Sequence, residues 1–373
     1  MPQTVPLLDL KAQHQTIRDE IVPALLDVVE RQAFIMGDEV SRLEAAIADL
    51  SHVPHAIACA SGTDALLLPL RTLGLARTDE VIVPAFTFFA TAGAVHNAGG
   101  RPVFADIEAA SFNLDPAAVE SAITPRTRAI IAVDLYGQMA PIETLGAIAR
   151  RHGLALIEDG AQSIGARRRV NGEWRMAGEL ADVGTLSFFP SKNLGGWGDG
   201  GMILARDGQL AGRLRKLRLH GGAKQYHHEE VGYNSRLDTL QAAVLLVKLG
   251  HLAGWSAGRR RVAARYDALL EGIEQVKPPV VDPANEHIFH QYTIRAERRD
   301  ALVEHLRRRG IGCAVYYPIG LHLQPCFADL GYRRGSLPVT EQAMAEVVSL
   351  PVYPELSDAQ QDAVVAAIRE FYA

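Results

Sequence analysis

Residues 129–158 read AIIAVDLYGQMAPIETLGAIARRHGLALIE. The apolar run Ala129–Leu135 is followed by a segment of helical period, Pro141–His152, and then by a second apolar run, Leu154–Glu158. A strand, a helix and a strand within about thirty residues form the crossover unit of a parallel sheet. The same alternation extends to both sides. Upstream, His55–Ala60, Glu80–Pro84 and Pro102–Ala105 read as strands. Downstream, Val183–Phe188 and Gly201–Leu204 read as two more, joined by a glycine-rich loop. This rhythm predicts an α/β domain on a mainly parallel sheet. Two helices precede it. Ile17, Ile21, Leu25, Val28 and Val29 share one face of the first; Val40, Leu43, Ala46, Ile47 and Leu50, after the Met36-Gly37-Asp38 turn, share one face of the second.

The pattern changes near Gly250. Ala257–Gly272 reads as a basic amphipathic helix whose Arg259, Arg260, Arg261 and Arg265 are expected on a solvated or intersubunit face. A strand (Phe289–Ala296), a helix (Asp300–Arg309), a strand (Cys313–Tyr317) and two helices (Glu341–Val347 and Asp358–Tyr372) follow. The expectation is a large domain over 1–250 and a smaller α+β domain over 251–373, in keeping with roughly 100–200 residues per domain.

The chain has 373 residues, 48% hydrophobic and 22% charged, enough apolar surface to offset chain entropy and so not a disordered polymer. A net charge of −5 argues against a nucleic-acid partner. No apolar run approaches the roughly 18 residues of a membrane span, and MPQTVPLLDLKAQHQ has neither the basic leader nor the apolar core of a signal peptide. Cys59, Cys313 and Cys326 are too scattered for a disulfide framework or a thiolate metal site. No metal is expected, and a reducing, cytoplasmic compartment is.

Open α/β sheets bind ligands at the carboxyl ends of their strands. The first strand runs into Ser61-Gly62-Thr63-Asp64 and a helix, which is either ordinary N-capping or an anion cradle of free backbone N–H groups. After the second strand come Phe86, Phe88 and Phe89; in isolation they read as core, and an exposed ring would instead offer a flat wall to a planar ligand. Glu158-Asp159-Gly160-Ala161-Gln162 ends another strand, and the acid there is either a helix cap or a carboxylate facing a cationic ring nitrogen. Most informative is Ser187-Phe188-Phe189-Pro190-Ser191-Lys192-Asn193-Leu194-Gly195-Gly196-Trp197-Gly198-Asp199-Gly200-Gly201. A lysine is usually a solvated charge. Between a strand end and a glycine-dense loop, Lys192 is a candidate Schiff-base amine. The order of a P-loop is absent.

GTDAL, PAFTFFAT, EDGAQSIGA, SFFPSKNLGGWGDGG and GYNSRLDTLQAA follow one another in this order. The set resembles the DegT/DnrJ/EryC1/StrS family of pyridoxal-phosphate-dependent sugar aminotransferases, over almost the whole chain. The resemblance implies an aspartate-aminotransferase-like fold (fold type I) in a homodimer with shared active sites. It implies that Lys192 bonds pyridoxal 5'-phosphate covalently and carries the proton, that Asp159 keeps the pyridine nitrogen protonated, and that Gln162 lies near the ring oxygen. Phe88 would stack on the ring. Gly62, Thr63 and Ser187 would hold the phosphate, with Asn234 reaching it from the partner subunit.

The family's substrates are an amino acid, frequently glutamate, and a keto-sugar on a nucleoside diphosphate. Tyr226, His227, His228 and Arg236, near the Asn234 loop, and Tyr316, Tyr317 and His322 in the smaller domain are the positions where the resemblance implies sugar-nucleotide contacts. For Tyr316, Tyr317 and His322 ordinary packing is an equal reading. Tyr316 stands where relatives acting on uronic-acid sugars carry histidine. The motifs lean toward the branch that aminates carbon 3. Other readings are an inosose aminotransferase, a sugar dehydratase (which would carry histidine in place of Lys192) and a non-catalytic family member. Nucleotide, sugar, stereochemistry and pathway are not encoded in these motifs.

Overall fold

The computed structural model describes residues 4–373. Helices α1 (Leu10–Arg31) and α2 (Asp38–Leu50) lead into the alternating region. There β1 (His55–Cys59), α3 (Gly62–Thr72), β2 (Glu80–Pro84), α4 (Ala90–Asn97), β3 (Arg101–Ala105), α5 (Pro116–Ala122), β4 (Thr127–Val133), α6 (Ile142–His152) and β5 (Ala155–Asp159) follow one another. A hairpin, β6 (Arg167–Val170) and β7 (Glu173–Met176), precedes β8 (Val183–Ser187) and β9 (Gly201–Ala205). Seven strands form one sheet in the order β1-β9-β8-β5-β4-β2-β3. The β8–β5, β5–β4, β4–β2 and β2–β3 pairs are parallel, and β9 lies antiparallel between β1 and β8.

These strands are almost wholly apolar because both faces are covered. On one face Ile57, Val81, Val83, Ile131, Ile157 and Ile203 pack with side chains of α3, α4 and helix α7 (Gly208–Leu217). On the other, Ile82, Ile130 and Leu156 meet α6, while Ala58, Met202 and Leu204 meet α2 and helix α8 (Thr239–Leu270). Local signals set the element ends. Ser61 caps α3 by accepting the Asp64 N–H, and Gly153 closes α6 in the left-handed region at φ 66°.

A second sheet, of β10 (Val276–Lys277), β12 (Tyr292–Ala296) and β13 (Val347–Leu350), carries α9 (Arg299–Arg308) and α11 (Asp358–Tyr372); α10 (Pro338–Glu346) leads into β13. Between β10 and β12, the short β11 (Asn285–Glu286) pairs with β6. The two ends of α8 serve different cores. Ala242 and Leu245 pack beneath the seven-stranded sheet, whereas Val262, Tyr266 and Leu270 pack against β12, α9 and α11. A division at residue 250 would cut this one helix at mid-length.

Three expectations are corrected. The helix expected over Ala257–Gly272 begins at Thr239. Arg259 lies on no solvated face: it is 3% exposed, and one guanidinium nitrogen donates to the carbonyls of Phe289, His290 and Val352. Cys313–Tyr317 is no regular strand, for only Ala314 bridges to Ser349 before the chain turns toward the end of the large sheet. No helix among the described residues is long and apolar enough to cross a membrane.

Ile203 lies in the strand between β1 and β8 and is fully buried. Ile203→Ala should cost about 2–5 kcal/mol, seen as a lower urea midpoint with an unchanged slope.

Candidate active site

The parallel strands all end on one edge of the sheet, and β9, running the other way, begins there. In register, Cys59 and Ser187 both lie opposite Gly201. The contact is tight enough to demand glycine. A Cβ on Gly201 would lie 2.3 Å from the Ser61 carbonyl oxygen, and one on Gly62 would lie 2.6 Å from Cβ of Ser187. The N-terminus of α3 is thereby pressed against the end of β8. Its first N–H groups, at Gly62 and Thr63, have no acceptor within the helix and carry the positive end of its dipole.

A cavity of about 670 Å³ opens at this edge. Gly62, Thr63 and Ser187 line one end, and Phe88, Asp159, Gln162, Lys192, Tyr316 and Tyr317 line the remainder. Asp159 ends β5 and is 5% exposed. Thr91, in the first turn of α4, donates its hydroxyl to Oδ2 at 2.9 Å, and the Ala161 N–H donates to Oδ1 at 3.2 Å. Burial raises the carboxyl above the usual range; those two bonds and the charge of Lys192 oppose the rise. The cap reading fails, because a turn and then β6 follow β5 with no helix to cap; Asp159 accepts from the Ala161 N–H and lines the cavity.

Lys192 stands on the loop between β8 and β9. The loop curls back on itself through Gly196 N–H to the Phe188 carbonyl (2.7 Å) and Lys192 N–H to the Phe189 carbonyl (2.9 Å). Gln241 and Lys248 of α8 pin it from outside, accepting from the Trp197 N–H and donating to the Gly195 carbonyl. Burial pushes the Lys192 amine down to about 8, against the pull of Asp159. Gln162 Oε1 accepts the Tyr136 N–H at 2.7 Å, and its Nε2 donates to the Tyr317 hydroxyl at 3.2 Å. Of the three aromatics after β2, Phe86 is core (1% exposed), whereas Phe88 (57%) and Phe89 (45%) project into the cavity wall. The core reading of that run holds for Phe86 alone.

The remaining expected residues are elsewhere. Tyr226, His227, His228 and Asn234 are solvent-exposed and Arg236 is half-buried; none lines this cavity. His322 is buried with its Nε2 3.3 Å from Glu341, also outside the cavity lining. Residues the motif reading passed over do line it or support it: Thr91, Asp199, Gln291 and His290, whose Nδ1 lies 3.0 Å from Oδ1 of Asn193. Asn193, next to the lysine, was the one local hint of the last pair.

These features fit a phosphorylated pyridine aldehyde. Unpartnered N–H groups beside the Ser187 hydroxyl suit a phosphate. A buried carboxylate with no ion-pair partner among the described residues suits a protonated ring nitrogen. An amine of lowered pKa suits carbonyl addition.

Comparison with known proteins agrees. The model of the DegT/DnrJ/EryC1/StrS aminotransferase family matches residues 15–369. A pleiotropic regulatory protein of Geobacillus stearothermophilus is 52% identical over 99% of this chain and 98% of its own length. A UDP-N-acetyl-3-dehydro-alpha-D-glucosamine 3-aminotransferase of Acidithiobacillus ferrooxidans is 45% identical over 98% of this chain and 97% of its own. The crystal structure of S. venezuelae DesV in complex with a ketimine intermediate superposes with a TM-score of 0.95, at 43% identity over 99% of this chain and 98% of that one. The chain belongs to the DegT/DnrJ/EryC1/StrS aminotransferase family and has the aspartate-aminotransferase-like fold.

The lowered Lys192 pKa has a consequence for stability. The unfolded chain binds this proton up to about pH 10, the folded one only to about 8. Stability therefore rises with pH across that window. Lys192→Met should stabilise the cofactor-free protein by about 3 kcal/mol at pH 7, and the gain should vanish between pH 8 and 10.5 in thermal melts.

Proposed function

We propose that this family member transfers an amino group from an amino acid, glutamate favoured, to the 3-keto group of a sugar carried on a nucleoside diphosphate, using pyridoxal 5'-phosphate. The observation that carries this reading is Asp159 and Lys192 in one cavity with the open N-terminus of α3. The 3-aminotransferase name of the Acidithiobacillus relative supports the carbon chosen.

In this reading the Gly62 and Thr63 N–H groups and the Ser187 hydroxyl hold the phosphate, and Phe88 covers a ring face. Gln162, its amide oriented by Tyr136 and Tyr317, lies at the ring oxygen. When bound, the cofactor supplies an electron sink for the carbon that loses a proton. Asp159 keeps its charge beside the ring nitrogen, with Thr91 and Ala161 holding its two oxygens in place. Nζ of Lys192 takes a proton from the amine-bearing carbon and returns it one position away; an amine titrating near 8 has a neutral fraction to do so at neutral pH. Leu66, Val133, Phe189 and Leu321 line the cavity with apolar surface that limits water.

The chain acts as a homodimer with shared sites. Phe88, Phe89, Phe189 and Trp197 leave large apolar surface exposed around the cavity and its loop, and Tyr226, His227, His228 and Asn234 are solvent-exposed. Asn234 of the partner subunit would reach the phosphate. Tyr226, His227, His228 and Arg236 of the partner subunit would meet the sugar-nucleotide, facing Tyr316 and Tyr317. His322 supports the sugar pocket from beneath rather than lining it. Three unpaired thiols fit a cytoplasmic enzyme. Lys192 argues against a sugar dehydratase, and the presence of both Lys192 and Asp159 argues against a non-catalytic protein.

The test is a half-reaction: the purified protein with pyridoxal phosphate should lose its visible absorbance with glutamate and with a 3-amino nucleotide-sugar. Conversion by an amino-inositol alone would overturn the substrate class. Lys192→Ala should lack both the absorbance and turnover. Asp159→Asn should retain cofactor but lose at least about 100-fold in kcat.

A further inference from the structure

Tyr136 does not line the active-site cavity, yet each of its three polar groups bonds a residue that does. It sits in the turn Leu135–Gly137 after β4 and is 4% exposed. Its N–H donates to Oε1 of Gln162 at 2.7 Å. Its carbonyl accepts the Gln291 N–H at 3.3 Å. Its hydroxyl donates to the Tyr316 carbonyl. The turn is built to keep it there. Tyr136 adopts φ 61°, a conformation unfavourable for a bulky residue. Asn113 accepts the Leu135 N–H and donates to the Gln138 carbonyl, both at 2.9 Å, so one side chain clamps the turn at its two ends. The Phe112 ring meets the Tyr136 ring edge-on at 5.7 Å.

These bonds also fix what Tyr317 can do. A backbone N–H only donates, so the bond from Tyr136 makes Oε1 the acceptor end of the Gln162 amide and Nε2 the donor end. Nε2 donates to the Tyr317 oxygen at 3.2 Å. The hydroxyl hydrogen of Tyr317 is then left without a partner among the described residues, on a residue that lines the cavity. Burial, with the charge of Asp159 behind it, holds that phenol above its usual range against the Gln162 bond, so it keeps its hydrogen. Phe86 meets the Tyr317 ring edge-on at 6.0 Å. Both ends of Tyr317 therefore lead back to one residue: the peptide carbonyl before it is bonded to the Tyr136 hydroxyl, and the oxygen at its tip is bonded to an amide that the Tyr136 N–H orients.

We propose that Tyr136 is a positioning residue for Tyr317: it holds the wall segment at the Tyr316 carbonyl and, through Gln162, turns the Tyr317 hydroxyl so that its hydrogen is free for an acceptor oxygen of the cavity's ligand. The kinetic consequence rests on the reading that Tyr317 meets the sugar-nucleotide; the geometry does not. The hydroxyl is the separable part of the device. Tyr136→Phe keeps the ring in its apolar cluster and keeps the N–H on Gln162, and removes only the bond to Tyr316.

Hydrogen exchange read by mass spectrometry on the cofactor-free protein tests the hold on the wall. The reporting amides are those of Ala314 and Leu321, bonded to the Ser349 and Ala85 carbonyls on either side of the segment. In Tyr136→Phe, peptides covering 314–321 should exchange roughly 2–10-fold faster, while peptides covering 134–138 and 288–291 keep the parent rates. In the holoenzyme the same substitution should raise the keto-sugar KM roughly 2–10-fold with kcat and the glutamate half-reaction little changed. In a Tyr317→Phe background it should add no further rise, because the group it positions is already gone. Parent-like exchange over 314–321, faster exchange spreading to 134–138, or an equal KM rise in both backgrounds would each overturn the proposal. So would a crystal structure of the parent chain with the Tyr136 hydroxyl beyond hydrogen-bond reach of the Tyr316 carbonyl, a result that needs no variant to fold. The exchange is read without cofactor or substrate, so it decides the positioning role even where the sugar assignment fails.

Discussion

A carboxylate buried at the end of a central strand, with two hydrogen bonds and no cation among the described residues in direct contact, is the constraint on which the other features of this site depend. Asp159 is expensive in the apo chain. Its position follows from β5 lying in the middle of a sheet covered on both faces, where the strand end is the one place that side chains meet open space. The Thr91 hydroxyl and the Ala161 N–H set its orientation without neutralising it. What remains is a field that favours a positive group.

The antiparallel β9 completes the arrangement. Because it starts at the edge where the others stop, the β8–β9 loop folds back over the ligand edge instead of crossing to the far side. Gly201 and Gly62 let three backbones close to within contact distance. That closeness brings a helix N-terminus, a serine hydroxyl and a lysine into one cavity, 125 residues of chain notwithstanding, between Gly62 and Ser187. Buried cations hold the periphery. Lys248 binds the Gly195 carbonyl beyond Lys192, and Arg259 binds the segment bearing His290. Each is a desolvated charge that gains nothing for the core, an expected pattern where positional accuracy is favoured over stability.

The fold was legible because the covered strands are mostly apolar and helix ends carry ordinary caps: Glu80–Pro84 and Asp358–Tyr372 were readable to the residue. The hairpin β6–β7 escaped notice, since its Arg-rich strand, half exposed, shows no apolar run. Cys313–Tyr317 misled for the opposite reason: an apolar run there serves as cavity wall after a single bridge. At the site, Lys192 and Asp159 announced themselves by residue type against context. Thr91 and His290 did not, because the partner of each, Asp159 and Asn193, is remote in sequence.

The amino-acid sequence by itself singled out the candidate amine, acid and glycines, and the alternation that makes a parallel sheet, because residue type and local period are properties of short windows. Only the tertiary structure decided which face each group presents. It also left Tyr226, His227, His228, Asn234 and Arg236 off the lining of this cavity and buried Arg259, where helical period had put it on the surface. Desolvation and hydrogen-bond partnership depend on what lies across the fold, and no window of the chain contains that information.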